Sequence, residues 1–459
     1  MRAILRAILL LTLCATPFTA WAQATRCSFT SERFTTDSTP SGMVTFAGGN
    51  VKIRCPARGI TLEGDSAERY TDKDFMIGHV VYDEPRLHVT SDFLNHFAND
   101  ERVVAIGNVR AKLPSGSTLV GPIAEWRRAT PRVRPRDQLL ARSRPTVTIV
   151  EKDSAGKPAA PTTIVGETIF MDGDSLIYGS GRVFINRTDV TATADSVFVD
   201  QTKEITHLIR EPVLKGKRED RAYTLTGILI DLYSKNKKLQ RILSRGNAKV
   251  VSDSMTLASD TIDLRVRNDL LDHAYAWGAK SRAHVVSPTQ NLVADSIDVT
   301  MPGQRIRLMR AFNRAVAENT PDTTRFRVEP RNEKDWLRGD TIVAHFDTSK
   351  VADTAKKGPD VKRLVALGHA RSFYHLPPSD STQRRPALNA VTARTITIDF
   401  DKSRVATVTA LDSVSGIYIE PRDSTAGRRT VAGRGNSPAP NQPRPAPPGS
   451  IVPLPPKRP

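Results

Sequence analysis

One short pattern recurs along this 459-residue chain and restricts the folds that it can adopt. The pattern consists of small residues, an aspartate, and then alternating apolar and polar residues. It is clearest in TADSVFV at 193–199, TLASDTIDL at 256–264 and LVADSIDV at 292–299. Internal repetition of this kind is typical of proteins that stack one structural unit on the next.

The repeats align on ten anchor positions, and the residues beside the anchors are consistently apolar. The anchors are Asp65, Asp92, Pro122, Glu167, Asp195, Ile228, Asp260, Asp295, Asp340 and Arg394. Two positions after them come Ala67, Leu94, Ala124, Ile169, Val197, Ile230, Ile262, Ile297, Ile342 and Ile396. The anchors from Glu167 to Asp295 are 28, 33, 32 and 35 residues apart.

The local pattern around each anchor is that of a β-strand rather than a helix. Ile262, Leu264 and Val266 alternate with polar residues, a period of two that excludes helical repeats. The apolar positions three before and two after an anchor are five residues apart, so in a straight strand their side chains would point to opposite faces. For both to face the core, the strand must bend or bulge at the anchor. A second run with glycine follows, as at Gly107-Asn108 and Gly246-Asn247, where a bulge or a close strand approach is favoured.

These features predict an all-β fold, an elongated repetitive β-jellyroll or β-solenoid of stacked short strands. A single repeat cannot bury its own apolar face, so stacked repeats form two facing sheets with apolar columns between them. Ten repeats would extend on the order of 90 Å. The interior is then either a trough for acyl chains or a core filled by its own side chains. The candidate lipid-lining residues are Ile169, Val197, Val199, Ile230, Leu232, Ile262, Leu264, Ile297, Val299, Ile342, Ile396 and Ile398.

The first residues predict export from the cytoplasm. Arg2 and Arg6 precede the apolar run 8–15, and Ala20-Trp21-Ala22 offers a cleavage site for a signal peptidase. We therefore expect a periplasmic protein, either free in the periplasm or associated with the outer membrane. Cys27 and Cys55 would remain after cleavage as a candidate disulfide in an oxidising compartment, the alternative being two separate buried thiols.

Composition divides the chain into six segments. The predicted boundaries are 1–22 for the signal peptide, 23–60 for an N-terminal lead-in, 61–128 for a first β-repeat segment, 129–163 for a loop or linker, 164–421 for the main β-repeat segment and 422–459 for a disordered tail. Pro and Arg crowd the predicted linker, and the tail is Pro-rich and basic.

The charge balance favours an anionic partner. Lys and Arg number 67 against 49 Asp and Glu, a formal net charge of +18. Rim cations could pair with phosphate, but charges that alternate with apolar residues also occur on any half-exposed strand. The candidates are Lys215, Lys217, Arg218, Arg265, Arg267, Arg305 and Arg307. Nucleic acid is disfavoured, because the export signal directs the chain away from it and no recognition motif is present.

The recurring runs resemble the organic solvent tolerance protein A family, the periplasmic lipopolysaccharide transport A proteins and their relatives. The resemblance rests on residues 104–109, on 246–248 with 257–260, and on 293–296, and it covers about residues 60–420. It implies a V-shaped β-jellyroll that holds lipid A acyl chains and pairs edge to edge with similar transport proteins.

No enzyme chemistry is indicated. The nine histidines are scattered without a metal-binding motif, and no nucleotide-binding glycine pattern is present. We expect no catalytic, cofactor or metal site, and we read the recurring aspartate as a corner residue. Two hypotheses follow. One is a periplasmic lipid-binding or lipopolysaccharide-transport bridge or scaffold in outer-membrane biogenesis. The other is a secreted structural β-solenoid that assembles through its edge strands without lipid, for which a homo-oligomer is a candidate form.

Overall fold

The computed structural model describes residues 27–40, 42–150, 156–157, 159–217, 222–252, 255–321, 326–328, 334–347, 360–378, 385–401 and 404–420. The predicted signal peptide and the predicted disordered tail lie outside these residues. Strands account for 73% of the structure and helical turns for 2%, which confirms the all-β, elongated repetitive fold. Among the described residues, no helix has the length and apolarity needed to cross a membrane.

Thirty strands and two short 3₁₀ turns make up the described chain. The first half has β1 (Ser28–Thr30), β2 (Arg33–Thr39), β3 (Gly42–Cys55), β4 (Ile60–Arg69), β5 (Lys73–Glu84), β6 (Leu87–Phe97), β7 (Arg102–Lys112), β8 (Thr118–Arg127), β9 (Gln138–Arg142), β10 (Thr146–Ile149), β11 (Thr162–Val165), β12 (Thr168–Asp172), β13 (Leu176–Asn186), β14 (Val190–Asp200) and β15 (Ile205–Ile209). The second half has β16 (Val213–Gly216), β17 (Tyr223–Thr226), β18 (Leu229–Lys235), β19 (Lys238–Ser252), β20 (Thr256–Arg267), β21 (Leu270–Trp277), β22 (Ala283–Val286), β23 (Gln290–Ala294), β24 (Ser296–Thr300), β25 (Leu308–Asn319), β26 (Asp335–Phe346), β27 (Val361–Leu376), β28 (Ala387–Asp401), β29 (Arg404–Leu411) and β30 (Ser415–Ile419). The 3₁₀ turns are Pro56–Arg58 and Pro302–Gln304.

The strands form one antiparallel ladder that is folded lengthwise into two facing half-sheets. Long strands contribute to both halves: residues 176–180 of β13 pair with β12, and residues 184–186 pair with β11. We call the half that contains β12, β15, β18 and β24 the lower half-sheet. The half that contains β11, β16, β17 and β23 is the upper half-sheet. Their apolar inner faces pack on each other, and their turns face each other along the open side of the fold, which we call the mouth.

The fold line between the half-sheets runs through the anchors, which confirms the predicted bend. Register shifts interrupt the ladder there, for example between Ile106 and Val109 and between Leu367 and Ala370. At most corners two consecutive residues have positive φ, between 44° and 78°. The pairs include Gly78-His79, Gly107-Asn108, Gly181-Arg182, Arg210-Glu211, Gly246-Asn247, Asn313-Arg314 and Gly368-His369. Glycine suits the first position because it lacks a Cβ.

At several corners the anchor carboxylate forms a hydrogen bond with the second residue of the pair. Asp65 Oδ2 lies 2.8 Å from His79 Nδ1, Asp92 Oδ2 accepts from Asn108 Nδ2 at 2.8 Å, and Asp295 Oδ1 accepts from Arg314 at 2.8 Å. The recurring acid and the recurring Gly-Asn-type pair are therefore two parts of one corner.

Substitution of a corner glycine should destabilise the fold more than substitution of a glycine in an open turn. Gly368 has a φ of +71°, and a Cβ there would lie 2.3 Å from Asp340 Oδ2. The Asp340 side chain would have to leave, breaking its 2.9 Å hydrogen bond with His369. We expect Gly368→Ala to lower the free energy of unfolding by about 1–3 kcal/mol, measured by urea denaturation.

Gly116 provides the matched control, because its φ is +85° and no heavy atom lies within 4 Å of the position of an added Cβ. Gly116→Ala introduces backbone strain alone, so we expect it to lower the free energy of unfolding by about 1 kcal/mol. Equal losses in the two variants would show that contact between the corner and the anchor adds nothing to stability.

One inner column shows how the interior is packed. Isoleucines that follow the anchors alternate with alanines from the next strand, so that large and small side chains interdigitate. The column runs Ile262, Ala276, Ile297, Ala311, Ile342, Ala366 and Ile396 through successive directly opposed pairs. Each of these residues is at most 1% exposed.

Two predicted segment assignments need correction. The stretch 129–163, expected to be a loop or linker, contains β9 and β10, which pair with β8 on one side and with β12 and β11 on the other. The Pro and Arg residues that suggested a linker lie in the turn between β8 and β9. Within the predicted lead-in, β1, β2 and β3 also belong to the ladder. Glu32 accepts from Asn50 Nδ2 at 2.6 Å beside Gly49, in the same way as a later anchor.

Candidate functional site

The predicted lipid-lining residues all lie on the inner faces of the half-sheets. Eleven of the twelve are at most 7% exposed. The remaining one, Val199, is partly buried against the same apolar core. Most of these side chains therefore contact one another directly, and the interior between them is largely filled.

A cleft interrupts this packing near the middle of the chain. It opens at the mouth, has a volume of about 540 Å³, and lies between β10, β11 and β13 of the upper half-sheet and β14, β15 and β18 of the lower one. Ile149, Ile164, Ile185 and Leu232 form its buried apolar floor, and the partly exposed Val199 lies between this floor and the rim. Its volume is within the range of small-molecule sites, roughly 300–1,000 Å³.

Polar turns surround the cleft. Arg187 Nε binds Asp189 at 3.1 Å and Arg187 Nη1 donates to Ser234 Oγ at 3.4 Å, the latter a contact between the two half-sheets. Lys237 Nζ lies 3.3 Å from Glu204. Lys217 donates to the carbonyl of Arg187 instead of to a carboxylate. An apolar floor below a charged rim can hold a molecule that has both a hydrocarbon and a polar part.

The mouth of the N-terminal part is closed by ion pairs between the half-sheets. Glu84, at the end of β5 in the upper half-sheet, contacts Arg128, which follows β8 in the lower one. Arg86 pairs with Asp137 at 3.0 Å, and Arg58 pairs with Glu101 at 3.3 Å. Tyr82 donates to Glu84 at 3.0 Å, and burial together with this carboxylate raises the pKa of the Tyr82 hydroxyl.

A smaller cavity of about 100 Å³ lies near the C-terminal end of the interior. Ile342 and Ile398, two of the predicted lining residues, contribute to its mostly apolar wall, together with Phe346 and Phe400. Asp335 also lines it, and burial raises the pKa of this carboxyl although His375 Nδ1 lies 2.7 Å away.

The two ends of the ladder expose apolar side chains beside incompletely paired strands. Within the described residues, β2 pairs with β3 alone, and β30 pairs with β28 alone. Phe34 and Met43 at one end, and Ile417, Tyr418 and Ile419 at the other, are between 54% and 69% exposed. Exposed strand edges of this kind are templates for pairing with another chain.

The anchor acids lie on the fold line, opposite the mouth, and their electrostatics are those of corner residues. Hydrogen bonds from the Ser281 hydroxyl and from the backbone of Lys280 and Ser281 lower the pKa of Asp260. The guanidinium groups of Arg314 and Arg282 lower the pKa of Asp295 in the same way. Among the described residues, no group of His, Cys, Asp and Glu is arranged to hold a metal ion.

The predicted cations and cysteines have distinct locations. Lys217 lines the cleft, whereas Arg265 and Arg267 pair with Asp263 at 2.9 Å and with Asp272 at 3.5 Å. Arg218 lies outside the described residues. Cys27 and Cys55 are joined by a disulfide, which links the start of β1 to the end of β3.

Sequence reasoning missed most of the cleft rim. Arg187 and Lys237 lie in turns, and Ser234 lies near the end of β18, at positions that carry no repeat signal. Ala159 and Ala160 come from the stretch interpreted as a linker. Comparison of the chain with protein-family models gives no match, and comparison with curated proteins gives none either.

Proposed function

We propose that this protein is a periplasmic lipid-binding bridge or scaffold in outer-membrane biogenesis, which holds acyl chains of an anionic glycolipid such as lipopolysaccharide between its half-sheets. The observation that carries the proposal is the apolar interior, shared by two half-sheets along the ladder and open to the surface at the central cleft. Each methylene moved from water into such an interior gains about 0.8 kcal/mol.

The ends of the ladder support the role of a bridge. Their strand edges and exposed apolar side chains could extend the sheet by pairing with similar lipid-transport proteins. The net charge of +18 favours phosphorylated glycolipids over neutral ones. The export signal and the resemblance to the organic solvent tolerance protein A family support the same cellular location.

Lipid extraction from the purified protein tests this function. We expect the full chain, exported in a bacterium that makes lipopolysaccharide and purified without detergent, to release a phosphorylated glycolipid that mass spectrometry identifies. The matched control is a β-rich exported protein without an apolar interior, purified from the same cells. The proposal is rejected if the chain carries no lipid and takes up neither lipopolysaccharide nor phospholipid from vesicles.

A second candidate function is that of a structural β-solenoid that assembles through its edges without cargo. It is favoured by the close packing of the predicted lining residues, eleven of which are at most 7% exposed. Analytical ultracentrifugation of delipidated protein separates the two functions, because this candidate requires end-to-end assemblies without lipid. A strictly monomeric species at high concentration would contradict it.

A further inference from the structure

The central cleft differs from the N-terminal mouth in what occupies the space between the half-sheets. In the N-terminal part, Glu84 and Arg128 meet across the mouth, as do Arg86 and Asp137. At the cleft, the corresponding turns carry Arg187 and Ser234, which touch only through a 3.4 Å hydrogen bond beside a volume of about 540 Å³. The cleft thus gives access from the side to an interior that is otherwise packed.

The floor of the cleft suits a hydrocarbon chain. Ile149, Ile164, Ile185 and Leu232 are at most 4% exposed, so they form a packed apolar base behind the cleft. Val199 is partly exposed between this base and the rim, and it is the side chain of this group that a hydrocarbon can touch. A chain lying here would extend the apolar columns of the half-sheets toward the mouth.

The rim carries five cations and four carboxylates when Lys203, the partner of Asp200, is counted with the lining residues. Asp189 pairs with Arg187, Glu204 with Lys237, and Asp200 with Lys203 at 3.5 Å, and the fourth carboxylate is Asp269. Asp200 also accepts hydrogen bonds from two backbone N–H groups. Lys217 and Lys238 are both exposed at the rim, and the Lys217 ammonium donates to a backbone carbonyl, that of Arg187.

We propose that this cleft is a lateral binding site for one single-chain anionic amphiphile. Its hydrocarbon lies on Val199, above the buried Ile164 and Leu232, and its phosphate or carboxylate head group lies between Lys217 and Lys238. The proposal rests on the proposed lipid-binding function and deepens it, since it gives one place where a single acyl chain is held with its head group at the surface.

Titration calorimetry of the full chain with hexadecyl phosphate tests the site. Val199→Trp fills the cleft from the mouth without altering the fully buried floor, and Thr206→Trp does so from the neighbouring strand β15. Thr193→Trp is the matched control, because Thr193 is exposed on the outer face of the strand that carries Val199. We expect one molecule bound per chain, with about tenfold or more weaker binding in both cleft variants and unchanged binding in the control.

The head group is tested with Lys217→Glu/Lys238→Glu and with hexadecyltrimethylammonium. The double variant should weaken hexadecyl phosphate binding about tenfold and should not weaken binding of the cation. Equal binding of both amphiphiles by the unmodified chain would overturn the head-group assignment. Unchanged binding in Val199→Trp and Thr206→Trp, both folded by circular dichroism, would overturn the cleft itself. Glycolipid that still copurifies with these two variants would leave the proposed function standing.

Discussion

The Ile262→Ala variant should lose about 2–5 kcal/mol of unfolding free energy, measured by urea denaturation followed by circular dichroism. Ile262 is 0% exposed and lies directly opposite Ala276 in the alternating inner column. Truncation removes buried methyl groups and leaves a cavity, because the alanines beside it are too small to fill the space. The lost free energy therefore has two parts, the transfer free energy of the removed methyl groups and the cost of the cavity that they leave.

The same measurement distinguishes a packed interior from a hollow one. In a hollow trough the truncated side chain would leave no new cavity, and the loss would be about 1–2 kcal/mol, the transfer contribution alone. Thr261→Ala is the control, since Thr261 lies beside Ile262 on the outer face and should cost less than about 1 kcal/mol. Similar losses in the two variants would contradict the packing described for this column.

Removal of the disulfide should cause the next largest loss of unfolding free energy. Cys27 and Cys55 are 28 residues apart in sequence, and closing a loop of this length restricts the unfolded chain by about 3–4 kcal/mol. Without the disulfide, three residues of β1 pair with β3, from Ser28 opposite Arg54 to Thr30 opposite Lys52. We expect Cys27→Ala/Cys55→Ala to lose about 3–4 kcal/mol, with faster hydrogen exchange of the β1 amides.

Reduction of the unmodified protein provides the control for this variant. Dithiothreitol should reproduce the loss in the unmodified chain and should have no effect on Cys27→Ala/Cys55→Ala. A loss below about 1 kcal/mol in both experiments would show that the pairing of β1 does not depend on the disulfide.

Much of the fold could be predicted from the sequence, because each corner is encoded locally. The parity change around an anchor and the glycine of the following run both lie within a few residues of the bend that they produce. The same rule finds Asp92 with Gly107-Asn108, whose bulge the structure shows. The anchor at Glu32 was missed, although it accepts from Asn50 as later anchors bind their own corners.

The mouth could not be predicted in this way, because its contacts join residues that share no period. Glu84 and Arg128 are 44 residues apart, and each ends a strand in a different half-sheet. Arg187 and Ser234 are 47 residues apart and meet for the same reason. Periodicity identified the inward-facing residues, but it carries no information on how wide the two half-sheets stand apart at each point.

The order of pairing in the ladder has a consequence for how the chain acquires its structure. In the described part of the chain, each strand pairs with strands that are at most three strands away in chain order. For example, β15 pairs with β14 and β18. Such short-range closure carries a small entropic penalty, and each completed coil presents a template for the one that follows. A chain that becomes available from one end can therefore fold progressively, strand by strand, without waiting for its last residues.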